Sequence, residues 1–313
     1  MEAMTVAHPD DPVPSPGAHG GDGPLVARAL GLDPDSMLDL SQNLNPFAPD
    51  VAALVSRHLD TLRHYPDPLE ATALLAEAMG VATSRLLLTN GGSEAITLVA
   101  AEIGGRVAAE PEFALHPRST TGPLWRSDPH SPSGRLAGPQ LHAHVWDEAF
   151  YPLATGAWGA PRPAGSVVVG SLTKTFACPG LRLGYLVSDD IERFARHQPQ
   201  WSVSAPALAT IPDLLECADL PGWAVRVRAA RAELSEGLRD RGLEVEAADA
   251  PWVLVRHGGL REALAPSGVL VRDCTSFGMP GVTRIAVPDS KGLTRLLLAL
   301  DRGLVPREVV EDG

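Results

Sequence analysis

Of 26 basic residues only two are lysines, and one of them, Lys174, lies in VVVGSLTKTFACPGLRLGY (167–185), between an apolar run and a Pro-Gly turn. Arginine keeps its proton at any working pH, whereas a lysine amine can be desolvated, deprotonated and made nucleophilic. Lys174 is therefore a candidate for covalent chemistry; the bland reading is a solvated loop lysine. Three other groups could serve with it. Asn90-Gly91-Gly92-Ser93-Glu94 follows a short apolar run and opens a helical pattern, so its backbone N–H groups could receive an anion. Asp147, in HAHVWDEAF, is an acid at a strand end, where open α/β sheets place ligands. Ser171 and Thr173 follow a second strand beside the lysine, and Arg182 comes eight residues after it.

The elements that must position these groups alternate. Apolar spacing predicts helices over residues 50–62, begun by Pro49 and Asp50, and 69–80, ended by Gly80. SVVVGSLTK reads as a buried strand of the parallel-sheet kind and GLRLGYLVS as another. Residues 111–143, rich in Pro, Ser and Gly, read as loop. Residues 221–241 form an amphipathic helix pattern, followed by strands in LEVEAAD, WVLVRH, GVLVRDC and VTRIAVP, a short helix in GLREALAP and a last helix in KGLTRLLLALDRG. Residues 1–24 read as an arm.

A net charge of −12 argues against nucleic acid or an anionic membrane as partner. Three cysteines make a disulfide framework unexpected, and no apolar run resembles a signal peptide or membrane span, so a cytoplasmic protein is expected. His142 and His144 read as surface histidines rather than a metal pair, and no metal is expected.

In chain order the candidates supply phosphate donors, a carboxylate and an amine, the partners of a cofactor bearing a phosphate, a pyridinium nitrogen and an aldehyde. The order resembles the fold-type I pyridoxal-phosphate-dependent enzymes of the class I/II aminotransferase superfamily. SLTKTFACPGLRLGY is similar to the Schiff-base lysine motif, which implies that Lys174 holds the cofactor and that Ser171 and Arg182 bind its phosphate. VWDEAF resembles the segment whose acid, here Asp147, pairs with the pyridinium nitrogen. GGSEAI resembles the phosphate loop, which implies Gly92 and Ser93 as donors. Phe113, in AEPEFALH, falls where an aromatic ring stacks on the cofactor, and Tyr65, in RHYPDP, resembles a tyrosine that reaches the neighbouring subunit's phosphate, so the resemblance implies a homodimer.

Two relatives compete. AHGGD with His19, DLSQNLNPF with Asn43 and Asn45, the Pro-Gly pair after the lysine, Phe150, and VRDCTSFGMPGVTRIAVPD resemble threonine-phosphate decarboxylase of cobalamin biosynthesis more than histidinol-phosphate aminotransferase. The resemblance implies Arg284 for a substrate carboxylate, Arg272 for a substrate phosphate, and His19 and Asn43 as further substrate contacts. The chain departs from the family at two partners of the cofactor's phenolic oxygen. Ser131, in DPHSPSG, stands where an asparagine is usual, and Phe150 lacks a tyrosine's hydroxyl. Whole strand and helix elements are also expected to be missing between Phe113 and Asp128 and between Gly134 and Asp147.

The expected fold is α/β: a trimmed three-layer α/β/α large domain with a smaller α/β domain. The expected boundaries are an arm over 1–49, the cofactor domain over 50–200 and the small domain over 201–313. The expected activity is a pyridoxal-phosphate-dependent decarboxylase acting on a phosphorylated amino acid; the alternatives are an aminotransferase of the histidinol-phosphate type and a cofactor-binding paralogue with little catalysis.

Overall fold

The computed structural model describes residues 13–17 and 19–303. The chain runs through α1 (Gly23–Ala29), β1 (Leu38–Asp39), α2 (Val51–Ser56), α3 (Leu69–Met79), β2 (Leu86–Asn90) and α4 (Gly91–Ile103). Next come β3 (Arg106–Val107), β4 (Leu124–Ser127), β5 (Val145–Asp147), α5 (Tyr151–Thr155), β6 (Val167–Ser171), α6 (Leu172–Thr175) and β7 (Leu183–Val187). Helices α7 (Glu192–Ala195), α8 (Ala205–Glu216) and α9 (Leu220–Arg239) follow. The chain ends with β8 (Val245–Glu246), β9 (Trp252–Val255), α10 (Leu260–Leu264), β10 (Val269–Leu270), β11 (Arg272–Asp273), β12 (Thr283–Ala286) and α11 (Ser290–Gly303).

Two compact units result among the described residues, the larger from residues 44–229 and 248–251, the smaller from those up to 43, 230–247 and 252–303. The larger holds a six-stranded sheet in the order β2-β7-β6-β5-β4-β3. β3 to β6 are parallel, and β7 lies antiparallel between β6 and β2. Side chains alternate along β7 as strand geometry requires. Leu183, Tyr185 and Val187 share one core with α3, α8 and the start of α9, whereas Leu186 joins Trp125, Val145, Val167 and Val169 in a second core under α4 and α7. Two cores on opposite faces of one sheet make three layers, the α/β/α arrangement of fold type I.

The loop expected over residues 111–143 is interrupted. Leu124–Ser127 forms β4, paired with both β3 and β5, and the fully buried Trp125 anchors it. A strand is thus present between Phe113 and Asp128 where none was expected; four residues that include Arg126 and Ser127 carry too little apolar pattern to declare themselves. The helix expected over 50–62 divides into α2 and a 3-10 turn, Leu59–Arg63, with Asp50 capping α2 by accepting from Ala53 N. Helix α3 ends at Gly80 as its spacing predicts. Residues 201–229, grouped with the C-terminal domain in the sequence reading, lie in the larger unit, where α8 packs into the same core as α3.

The smaller unit contains the antiparallel sheet β11-β12-β9-β8 and the parallel pair β1-β10. Leu234, Leu238, Val253, Ile285, Leu296 and Leu300 fill its core. Of the N-terminal arm, the first twelve residues lie outside those described; Pro14 O and Asp22 are both held by the buried Arg261. No helix among the described residues is long and apolar enough to cross a membrane.

Candidate active site

Sheet direction gathers the candidates of the larger unit. Because β7 is antiparallel to both neighbours, β2 runs the same way as β6, so the carboxyl ends of β2, β4, β5 and β6 share one edge with the start of β7. The register makes this concrete: Asn90 pairs with Leu183, Ser171 with Gly184, and Ser127 with Asp147. Arg182, immediately before β7, arrives at the same edge as the turn at Gly91 and the end of β6.

β2 passes into α4 with no intervening loop, and Gly91 makes the turn at φ 76°. β7 lies hard against it: a Cβ on Gly184 would come within 2.4 Å of the Gly91 carbonyl carbon and 2.5 Å of Gly92 N, so only glycine fits. The first N–H groups of a helix have no partner within it, and here they belong to Gly91, Gly92 and Ser93. The exposed Arg182, itself at φ 57°, donates from Nη2 to Ser93 Oγ at 2.9 Å. An exposed guanidinium, a hydroxyl and a helix N-terminus are together suited to receive an anion. Ser171 closes β6, and Lys174 follows within α6, its Nζ 5.9 Å from the centre of the Phe150 ring. Asn45 braces this segment: its N–H donates to Lys174 O at 3.1 Å and its side-chain amide to Thr175 O at 2.8 Å.

Asp147 is buried at the end of β5. Its Oδ1 accepts from Ala149 N at 3.1 Å, and Oδ2 lies 3.2 Å from Nε2 of the buried His116. The other nitrogen of His116 faces Glu112 Oε1 at 3.8 Å. Glu112 in turn accepts from Ser127 Oγ, and that hydroxyl accepts from Ser131 N at 2.8 Å. Phe113 stands edge-on to His116, ring centres 5.6 Å apart. Phe113, Ser131 and Asp147, chosen separately in the sequence, are thus joined through three residues the sequence reading did not single out: Glu112, His116 and Ser127. A spacing of 31 residues between His116 and Asp147 leaves no local pattern to find them by.

Beside Asp147, Glu148 turns away into a buried ion cluster. Arg162 donates from Nε to Glu148 Oε1 and from Nη2 to Asp128 Oδ2, both at 2.6 Å, while its guanidinium lies 3.7 Å from the centre of the Trp146 ring. Burial outweighs the attraction of Arg162 and raises the Glu148 carboxyl to about 7. Tyr65 does not join this network. It is 78% exposed and stacks on Trp201, 57% exposed, with ring centres 4.5 Å apart.

In the smaller unit Arg272 and Arg284 are buried. Arg272 donates to Gly17 O at 2.8 Å and to Ser276 Oγ at 2.6 Å. Arg284 lies between two aromatic rings, 5.4 Å from the centre of Trp252 and 5.5 Å from that of Phe277. With the Asn43 amide turned so that its oxygen faces Arg284, Oδ1 accepts from Nε at 3.2 Å and Nη2 at 3.3 Å. Asn43 reaches this position at φ 53°. Burial lowers Arg284 to about 10, and Arg272 acts in the same direction. His19 is exposed, near the point where Gly21 N donates to Ser41 Oγ at 2.8 Å.

The donor set of the larger unit fits pyridoxal phosphate: an anion cradle for the phosphate, a lysine for the aldehyde carbon, and a buried carboxylate for the ring nitrogen. No group of three or more His, Cys, Asp or Glu able to hold a metal occurs among the described residues. Comparison with known proteins points the same way. Residues 142–300 match the family model "Aminotransferase class I and II". The chain is 30% identical to threonine-phosphate decarboxylase of Salmonella typhimurium, covering 90% of this chain and 95% of that one. It is 27% identical to histidinol-phosphate aminotransferase 2 of Methylococcus capsulatus, covering 86% and 91%. Histidinol-phosphate aminotransferase of Sinorhizobium meliloti, solved in complex with pyridoxal-5'-phosphate, has the same fold at 16% identity, with a TM-score of 0.68 over 84% of this chain and 89% of that one. The family match supports pyridoxal 5'-phosphate as the cofactor. With Lys174, Asp147 and the Gly92–Ser93 turn on one sheet edge, and the family match running across two of these three, the chain belongs to the class I and II aminotransferase family of pyridoxal-phosphate-dependent enzymes.

Proposed function

We propose that this enzyme decarboxylates a phosphorylated amino acid of the O-phosphothreonine type. The observation that carries this reading is the pair of buried arginines, Arg272 and Arg284, on adjacent strands of the smaller unit. An amino acid phosphate brings two anions, a carboxylate and a phosphate, and fork-shaped guanidiniums suit both. Histidinol phosphate brings only one. The motifs around His19, Asn43 and Phe150 and the relative at 30% identity support the same choice.

In this reading Gly92, Ser93, Ser171 and Arg182 hold the cofactor phosphate, Phe113 lies against the ring, and Lys174 supplies the amine that holds the aldehyde carbon. Bound pyridoxal phosphate supplies an electron sink for the bond broken at the substrate's Cα. Asp147 holds a proton at the ring nitrogen, and His116 keeps that carboxylate oriented through its Oδ2. Arg284, with Asn43 fixing its plane, takes the substrate carboxylate, and Arg272 takes the phosphate. Lys174 returns a proton to Cα once the carboxylate has left. Toward the cofactor's phenolic oxygen Ser131 would offer only a short hydroxyl, and Phe150 would offer no donor. We further propose that the enzyme is a homodimer, with the exposed Tyr65 and its neighbours Leu59, Leu62 and Leu69 covered by a second copy.

The histidinol-phosphate aminotransferase reading is the second one, favoured by the Methylococcus capsulatus relative. The purified protein loaded with pyridoxal phosphate distinguishes them. O-phosphothreonine should release carbon dioxide and leave a phosphorylated amino alcohol. Amino transfer from histidinol phosphate to a keto acid, without carbon dioxide from O-phosphothreonine, would establish the aminotransferase instead.

A further inference from the structure

Glu94 lies four residues beyond Asn90, in the first turn of α4, and its Oε2 accepts three hydrogen bonds. Asn90 N donates at 2.7 Å, Gln198 Nε2 at 3.0 Å and Ser202 Oγ at 3.1 Å. The first closes the turn on itself, as a capping box does, by satisfying the N–H of the residue that precedes the helix. The other two fasten the turn to a segment more than a hundred residues away in sequence. Gln198 Nε2 also donates to Leu88 O at 2.8 Å, so one amide ties strand β2 to helix α4 across the turn between them. Between Gln198 and Ser202 the chain passes through Trp201 at φ 58°, whose indole lies tilted against the Tyr65 ring, centres 4.5 Å apart.

We propose that Glu94 is a positioning residue for the phosphate-binding turn. By taking the Asn90 N–H and bracing against Gln198 and Ser202, it fixes the direction in which the N–H groups of Gly91, Gly92 and Ser93 point, and so sets the affinity of the turn for a phosphate monoester without touching it. The carboxylate is suited to this because one oxygen accepts from three donors at once, and because its charge sits on the helix side of the turn, with Asn90 N–H between it and the strand. The inference rests on the reading of this turn as the cofactor's phosphate site.

The test compares two probes that differ only in the phosphate, pyridoxal phosphate and pyridoxal, each titrated against the purified full chain by absorbance. A residue that merely stabilises the fold changes both affinities together; a residue that orients the turn changes their ratio. Glu94→Ala should weaken pyridoxal phosphate about tenfold and leave pyridoxal unchanged. Glu94→Gln, which keeps one amide oxygen for the three donors, should restore most of the loss. Ser202→Ala, which removes one donor and guards against failure of Glu94→Ala to fold, should move the ratio about two- to threefold in the same direction. Arg182→Ala is the control for the underlying reading. If it leaves the ratio unchanged, the turn is not the phosphate site and both ideas fall. If Arg182→Ala collapses the ratio while Glu94→Ala and Ser202→Ala shift both probes equally or neither, the site stands and the role of Glu94 is overturned.

Discussion

Arg272 and Arg284 are directly opposite each other across the antiparallel strands β11 and β12, and both side chains are almost entirely removed from solvent, at 2% and 8% exposure. Residues in register on antiparallel strands project to the same face, and like charges placed so are destabilising. Arg284's hydrogen-bond partners, Ser41 O and Asn43, are neutral. Such an arrangement destabilises the fold on its own account, and a bound anion would offset it. Steady-state kinetics should therefore show Arg272→Ala raising the KM for O-phosphothreonine about ten- to hundredfold, with a smaller loss in kcat. Inorganic phosphate should raise the thermal midpoint of the wild type and not that of this variant. A loss confined to kcat would separate Arg272 from substrate binding.

Lys174→Ala should abolish the absorbance band that pyridoxal phosphate acquires on binding to the wild type, because no second lysine lies in the larger unit: the other, Lys291, belongs to the smaller one. The variant should still retain the cofactor through Gly92, Ser93 and Arg182, detectable by equilibrium dialysis. A band that persists in the variant would remove Lys174 from the site.

His116→Ala should leave cofactor affinity near that of the wild type and lower kcat about tenfold, the cost of one hydrogen bond expressed in the rate. Asp147→Asn should cost far more, since it removes the charge and not merely its orientation. The pH profile separates positioning from packing: a shifted profile in His116→Ala marks an altered Asp147, whereas an unshifted profile with uniformly lower rates would make His116 only a filler between Phe113 and Trp125.

Glu148 predicts a pH dependence of stability. Its carboxyl stands at about 7 in the folded chain against 4.5 unfolded, raised chiefly by burial. Below pH 4.5 it is protonated in both states and its stabilising contribution is complete. Between 4.5 and 7 the unfolded chain gives up the proton and the folded chain does not, so stability falls as pH rises, and the contribution is gone above 7. The full span amounts to about 3 kcal/mol. Thermal melts between pH 5 and 7.5 should show the wild type losing stability relative to Glu148→Gln, whose side chain cannot ionise. Parallel melting curves for the two proteins would contradict it.

That these candidates would meet at one sheet edge was legible because the parts are local and chemically distinctive. A glycine pair between a strand and a helix, an acid at a strand end and a lysine in an arginine-rich chain each carry their own signal, and their order along the chain is the order of the sheet's carboxyl ends. What supports them was not legible. His116 reaches Asp147, and Arg162 reaches Glu148 and Asp128, only after the sheet has assembled. β4 is too short to show a period, and α8 carries Pro206 in its first turn and Pro212 within it, which break the usual helical signature. Tyr65 was singled out by resemblance alone; its contact with Trp201 could not be anticipated from two residues so far apart.

The reversed strand β7 has a consequence in time as well as in space. β2 has one neighbour in the sheet, β7, and the register that joins Leu86 to Val187 and Asn90 to Leu183 spans about a hundred residues. Until the chain beyond Pro179 has been made and threaded between β2 and β6, β2 has no ladder to complete, and Gly91 and Gly92 have no Gly184 to lie against. Closing so long a loop is a slow, late event. The parallel strands β3 to β6 can form among themselves first, with Asp147 and Lys174 already at their ends, while the Gly91–Gly92 turn waits for β7. In a nascent or refolding chain Asp147 and Lys174 can therefore reach the sheet edge before Gly91 and Gly92 meet Gly184 there.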